Sequence, residues 1–136
     1  MKMLLTKKFA FEMAHALDGY DGKCANLHGH SYHLEVSVEG TELNSNGMAI
    51  DFGRIKTLVQ SVVINRFDHA LVLKKGSPLA SNPNTFSNLI EVPFNPTTEN
   101  LLIHFATLLE PQMPIGTRLH GLRLAETDSS VAELLL

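Results

Sequence analysis

The chain holds a single cysteine, Cys24, and no tryptophan. One cysteine excludes an intramolecular disulfide framework and a multi-cysteine zinc site. No apolar run approaches the roughly 18–20 residues of a membrane span. The opening MKMLLTKKFAFEM has one short apolar pair followed by two lysines, not the apolar core of a signal peptide. Basic residues never run beyond the pairs Lys7-Lys8 and Lys74-Lys75, and the formal charge is -3. Such a balance gives little support for a nucleic-acid partner or an anionic membrane surface. Internal repeats, low-complexity tracts and interdomain linkers are also missing. These absences set the expectation of a soluble, cytoplasmic protein. What is present is 136 residues, 44% hydrophobic and 18% charged, the size and composition of one folded domain spanning 1–136. Seven histidines are many for this length.

Periodicity predicts the elements. Phe9, Phe11, Met13 and His15 alternate with Lys8, Ala10, Glu12 and Ala14, the period of a half-buried strand. Residues 16–27 are turn-rich and read as a loop. His28, His30, Tyr32, Leu34, Val36 and Val38 then share one face of a second strand that Gly40 ends. A short strand is expected at Met48 to Ile50. Asp51 is placed to cap a helix whose apolar positions are Phe52, Ile55, Leu58, Val59, Val62 and Val63. The helical pattern stops near Arg66-Phe67-Asp68-His69. Residues 74–96, rich in Pro, Asn and Ser, read as a long loop with a brief strand at Leu89 to Val92. A second helix starts near Thr97-Thr98-Glu99 and is stopped by Pro111 and Pro114. Thr117 to Thr127 forms the last strand, with Leu122, Leu124 and Glu126 on one face. The sum is an α+β layer, a four-stranded antiparallel sheet with two helices on one face, whose open edges favour an oligomer.

His28 and His30 stand at i and i+2 of a strand. They therefore project from the same face, roughly 6–7 Å apart at the backbone, and their rings can converge on one ion. If the first two strands pair as a hairpin, His15 lies beside them. Three neutral histidines without an evident fourth ligand describe a catalytic metal site with an open position; the plainer alternative is polar residues hydrogen-bonded to backbone at a strand end. Cys24, four residues before His28, is a reactive base or nucleophile beside a cation, a small buried hydrophobe, or a fourth ligand that would make the metal structural. Asp68-His69 is either a carboxylate-oriented acid/base pair or a plain helix C-terminal feature. Glu126, a carboxylate in an apolar strand, is paired, at an interface, or in a site. His33, His104 and His120 show no grouping and read as surface or helix-face residues.

Taken together, the motifs resemble the 6-pyruvoyl-tetrahydropterin synthase / 6-carboxy-tetrahydropterin synthase family. The matching pieces are Phe11-x3-His15, Cys24-Ala-Asn-Leu-His28-Gly-His30 and Gly47-Met-Ala-Ile-Asp51-Phe52. Phe67-Asp68-His69, Pro96-Thr97-Thr98-Glu99-Asn100 and Ala125-Glu126-Thr127 follow in family order. The resemblance implies the tunnelling fold (T-fold), in which three subunits close their sheets into a barrel and two trimers stack into a homohexamer. It also implies sites between subunits, so that Asp68-His69 serves the metal of a neighbouring chain. By the same resemblance His15, His28 and His30 hold Zn2+, Cys24 is the proton acceptor, and His69 oriented by Asp68 shuttles a proton. Glu126 anchors the pterin ring and is grouped with the charge relay, while Thr97, Thr98 and Glu99 help form the pterin pocket.

The implied activity is that of a zinc lyase on 7,8-dihydroneopterin triphosphate. One branch gives 6-pyruvoyl-tetrahydropterin; the other also loses acetaldehyde and gives 6-carboxy-5,6,7,8-tetrahydropterin, an early step in queuosine and other 7-deazapurine synthesis. The short Cys-x3-His-x-His spacing looks like the carboxy branch, and Glu126-Thr127-Asp128-Ser129-Ser130 looks closer to the pyruvoyl branch. The spacing sets the distance from base to metal, so the carboxy product is the expectation. A paralogue that keeps the fold and metal but only binds a pterin or purine-like ligand is a further alternative, against which the intact Cys24 argues. The chain departs from the family in its longer 70–95 loop and in lacking a tyrosine near its end.

Overall fold

The computed structural model describes residues 1–81 and 83–136. Strand β1 (Met3–His15) runs antiparallel to β2 (His28–Gly40), from Met3 opposite Gly40 to His15 opposite His28. Helix α1 (Phe52–Val59) opens with Asp51 Oδ1 accepting the Gly53 N–H at 2.8 Å. It continues through a π-helical turn at Gln60–Ile64 into the short α2 (Asn65–Phe67). Strands β3 (Ala70–Lys74) and β4 (Leu89–Val92) follow, then α3 (Thr98–Leu109), β5 (Thr117–Thr127) and β6 (Ser130–Leu135).

The six strands form one sheet in the order β4-β3-β1-β2-β5-β6. It is mixed: β3 pairs in parallel with both β1 and β4, and the other pairings are antiparallel. The expected four-stranded antiparallel sheet is thereby corrected. Ala70-Leu-Val-Leu-Lys74 has no alternation to read because its first four residues are all buried, the pattern of a parallel strand covered on both sides. Strand β6 was hidden in the chain's last residues, and Met48 to Ile50 forms no strand but a bend. Within the 74–96 stretch β4 stands where it was expected; residue 82 lies outside the described residues.

Both long helices pack on one face of the sheet. Phe11, Tyr32, Leu34, Leu122 and Leu124 from the strands meet Ile55, Val59, Phe67, Leu101 and Phe105 in a single cluster. Each such side chain contributes about 1.5–3 kcal/mol by leaving water. His104 is not the ungrouped helix-face residue expected, since its ring lies 5.4–6.5 Å from those of Phe94, Phe67 and Phe105. Burial pushes its pKa down, and the charge of Arg66 adds to the effect. Among the described residues no helix is long and apolar enough to cross a membrane.

Candidate metal centre

The β1–β2 register sets the site. His15 pairs with His28, and Met13 with His30, so all three imidazoles leave the helix-covered face at the end where β1 stops and β2 begins. Their donor nitrogens lie within 4.8 Å of one another, and no cysteine or carboxylate joins that group among the described residues. Gly29 keeps the opposite face clear: a Cβ there would come within 3.3 Å of the Met13 carbonyl oxygen.

The rings are held from behind. His15 Nδ1 donates to the Pro96 carbonyl and His28 Nδ1 to the Asn26 carbonyl, each at 2.7 Å. Committing Nδ1–H to a carbonyl fixes the neutral tautomer and leaves the Nε2 lone pair as the free donor. Those two Nε2 atoms stand 3.1 Å apart. Two nitrogens bound to one tetrahedral ion at 2.0–2.1 Å would be separated by about 3.3 Å. His30 Nε2 is buried without a hydrogen-bond partner among the described residues, a costly state for a polar atom that a metal would relieve. Burial, before the neighbouring imidazoles, lowers the pKa of His15 and keeps it in the neutral, ligating form. The donor set fits a cation.

Glu126 belongs to this constellation. Its Oε1 lies 3.7 Å from His15 Nε2 and 3.8 Å from His30 Nε2. The β5–β6 register skips it, passing from Ala125 opposite Val131 to Thr127 opposite Ser130, and such bulges re-aim a side chain. A cavity of about 300 Å3 brings Glu126 together with Thr98 and Glu99. Thr97 is turned to the helix instead, where its hydroxyl caps α3 by accepting the Asn100 N–H at 3.2 Å.

Tyr32, which the alternation placed on this face but not in a site, was missed as a neighbour of the metal group. Its hydroxyl reaches His15 Nδ1 at 3.5 Å, and its ring stands edge-on to that of His30. Burial first, then the charges of Glu126 and Cys24, push its phenol above the ordinary range. Cys24 is half-buried in the 3-10 turn Lys23–Ala25. It is not one of the converging donors.

Asp68 and His69 are not among the converging donors. Asp68 Oδ1 accepts the Glu12 N–H at 2.9 Å, and the His69 N–H donates to the Glu12 carbonyl. Glu12 points to the face of β1 opposite His15. His69 lines a cavity of about 340 Å3 together with Glu12, Ser31 and His30 of the metal group. His69 Nδ1 lies 3.0 Å from Asp68 Oδ1, and its side chain is 78% exposed. Its backbone takes φ = 61°, the only positive value at a non-glycine among the described residues.

Comparison with known proteins places these features. The chain is 35% identical over 137 residues to the 6-carboxy-5,6,7,8-tetrahydropterin synthase of Haemophilus influenzae, covering 95% of this chain and 96% of the relative. It is 32% identical over 137 residues to the enzyme of that name from Rickettsia bellii, covering 95% and 97%. Among solved structures, an uncharacterized Wolinella succinogenes protein superposes with a TM-score of 0.85 at 20% identity, covering 99% and 98% of the two chains. The Caenorhabditis elegans 6-pyruvoyl tetrahydropterin synthase does so with 0.73 at 22%, covering 100% and 96%. At such identities the structures establish a shared fold. The family model described as 6-pyruvoyl tetrahydropterin synthase matches residues 4–135. That match spans β1 through β6 and every residue of the metal group, and this chain belongs to the 6-pyruvoyl tetrahydropterin synthase family.

Proposed function

We propose that this chain is a zinc-dependent lyase. It converts 7,8-dihydroneopterin triphosphate and water to 6-carboxy-5,6,7,8-tetrahydropterin, acetaldehyde and triphosphate, a step toward queuosine and other 7-deazapurines. The observation that carries the reading is the convergence of three imidazole Nε2 atoms beside the Glu126 carboxylate. The names of the Haemophilus and Rickettsia relatives support the carboxy product.

His15, His28 and His30 would hold Zn2+, which when bound would supply a Lewis acid that makes protons beside the substrate's hydroxyl oxygens easier to remove. The Cys24 thiolate accepts the proton from the substrate side chain. Glu126 and Glu99 accept hydrogen bonds from the N–H groups of the pterin ring, a charge-assisted contact, with Thr98 closing the same cavity. Thr97 supports this pocket indirectly, by capping the helix that carries Thr98 and Glu99. Asp68 orients His69 through Nδ1, leaving the other ring nitrogen to carry a proton.

Asp68-His69 stands outside this chain's converging donors, and the pair acts at the site of a neighbouring copy. The assembly is a homohexamer, two stacked trimers with joined sheets. Two observations support it: β4 and β6 leave unpaired sheet edges, and exposed Met3, Leu4, Leu43, Met48 and Phe52 border an apolar groove of about 500 Å3.

Incubation of the purified protein with dihydroneopterin triphosphate, followed by mass spectrometry, tests the reading. Carboxy product with acetaldehyde is the expected result. A 6-pyruvoyl product would select the other branch, and no release of triphosphate would overturn the assignment.

A further inference from the structure

We infer that Asn95 is a positioning residue that locks the loop carrying Cys24 to the segment that orients His15. Its effect on turnover rests on the proposed role of Cys24; the geometry does not.

Between the end of β1 and the start of β2, the only helical element in residues 16–27 is the short Lys23–Ala25 turn. A thiol on such a segment keeps a fixed place only if the loop is held. Within the loop, the Leu17 N–H donates to the Cys24 carbonyl at 2.8 Å. The next residue, Asp18, is gripped from outside through both of its backbone groups. Its N–H donates to Asn95 Oδ1, and Asn95 Nδ2 donates to its carbonyl, each at 2.9 Å. One side-chain amide thus uses a donor and an acceptor on a single residue, a pattern that a carboxylate cannot supply.

Asn95 is itself anchored. Its carbonyl accepts from Asn100 Nδ2 at 3.0 Å and from the Thr97 N–H at 2.8 Å, tying it to the start of α3. The following residue, buried Pro96, gives its carbonyl to His15 Nδ1. The dipeptide Asn95-Pro96 therefore holds an imidazole of the metal group with its backbone and the Cys24 loop with a side chain. Removing the side chain releases the loop and leaves the hold on His15 in place.

Cys24 is the only cysteine of the chain, so alkylation by iodoacetamide in the zinc-loaded protein reports on this loop alone. In Asn95→Ala the alkylation rate is expected to rise about five-fold or more, the equivalent of a lost hydrogen bond or two. Zinc content should match the unaltered chain, and kcat should fall by a larger factor than KM rises. Asn95→Asp keeps the shape and one acceptor but sets a second acceptor against the Asp18 carbonyl; it should also alkylate faster, and it serves if the alanine variant does not fold. An unchanged or slower rate in the folded variants, or zinc lost along with the change, would overturn the inference. If the unaltered chain shows no turnover of dihydroneopterin triphosphate while alkylation responds as expected, the proposed reaction fails and the role of Asn95 stands.

Discussion

The Nε2 atoms of His15 and His28 face each other at 3.1 Å while the Nδ1 of each ring is turned onto a backbone carbonyl. With both Nδ1 protons committed, the facing atoms are two lone pairs, which repel unless a cation lies between them. The protein as purified is therefore expected to carry about one zinc per chain. His28→Ala should carry almost none by elemental analysis. Chelation should lower the melting temperature and added zinc restore it, since a ligand held at a hundred times its Kd adds about 2.7 kcal/mol to stability. Metal-free protein with unchanged melting and full turnover would contradict the site.

Cys24 lies outside the converging donors. Replacing it should separate chemistry from metal binding. Cys24→Ala is expected to lose about 10²–10⁴-fold in turnover, the usual worth of a positioned acid or base, with zinc content unchanged. Loss of zinc in this variant would make the thiol a ligand instead.

His69 holds a left-handed backbone at φ = 61°, a conformation that costs a residue with a Cβ about 1–2 kcal/mol. Strain of this kind persists where the surroundings impose it, and here the Glu12 carbonyl accepts the His69 N–H. His69→Gly should raise stability by about 1 kcal/mol in urea unfolding while turnover falls. A destabilised glycine variant with retained activity would show that the imidazole serves the fold and not the reaction.

Asp68 answers to pH. The Glu12 N–H, and after it the adjoining His69, hold its carboxyl below the ordinary range. A lowered native pKa means that the folded state favours the charged form. The stabilisation is complete above the ordinary aspartate value and drains away as the pH falls through the native one. Below about pH 4, the melting temperature of the unaltered chain should fall more steeply than that of Asp68→Asn. Superimposable melting curves would refute the linkage.

The legible parts of the chain were those with a local period. β1 and β2 were readable because one face is buried and the other is wet, and α1 and α3 because Asp51 and Thr97 cap apolar stripes. Strand β3 was not readable, since its burial erases the alternation. Strand β6 was not readable either, because six residues beside a two-residue turn carry too little pattern to stand out from a chain end.

The sequence by itself determined which residue types could bind a metal and that His28 and His30 must share a face, because a strand alternates with period two. Tertiary structure decided the rest of the centre. The β1–β2 register set His15 opposite His28, and the bulge at Glu126 set a carboxylate beside them. A carbonyl from residue 96 fixed the tautomer of residue 15. The Glu12 backbone held the Asp-His pair beside β1, outside the converging donors. Each of these depends on contacts between segments distant along the chain, and no local spacing encodes them.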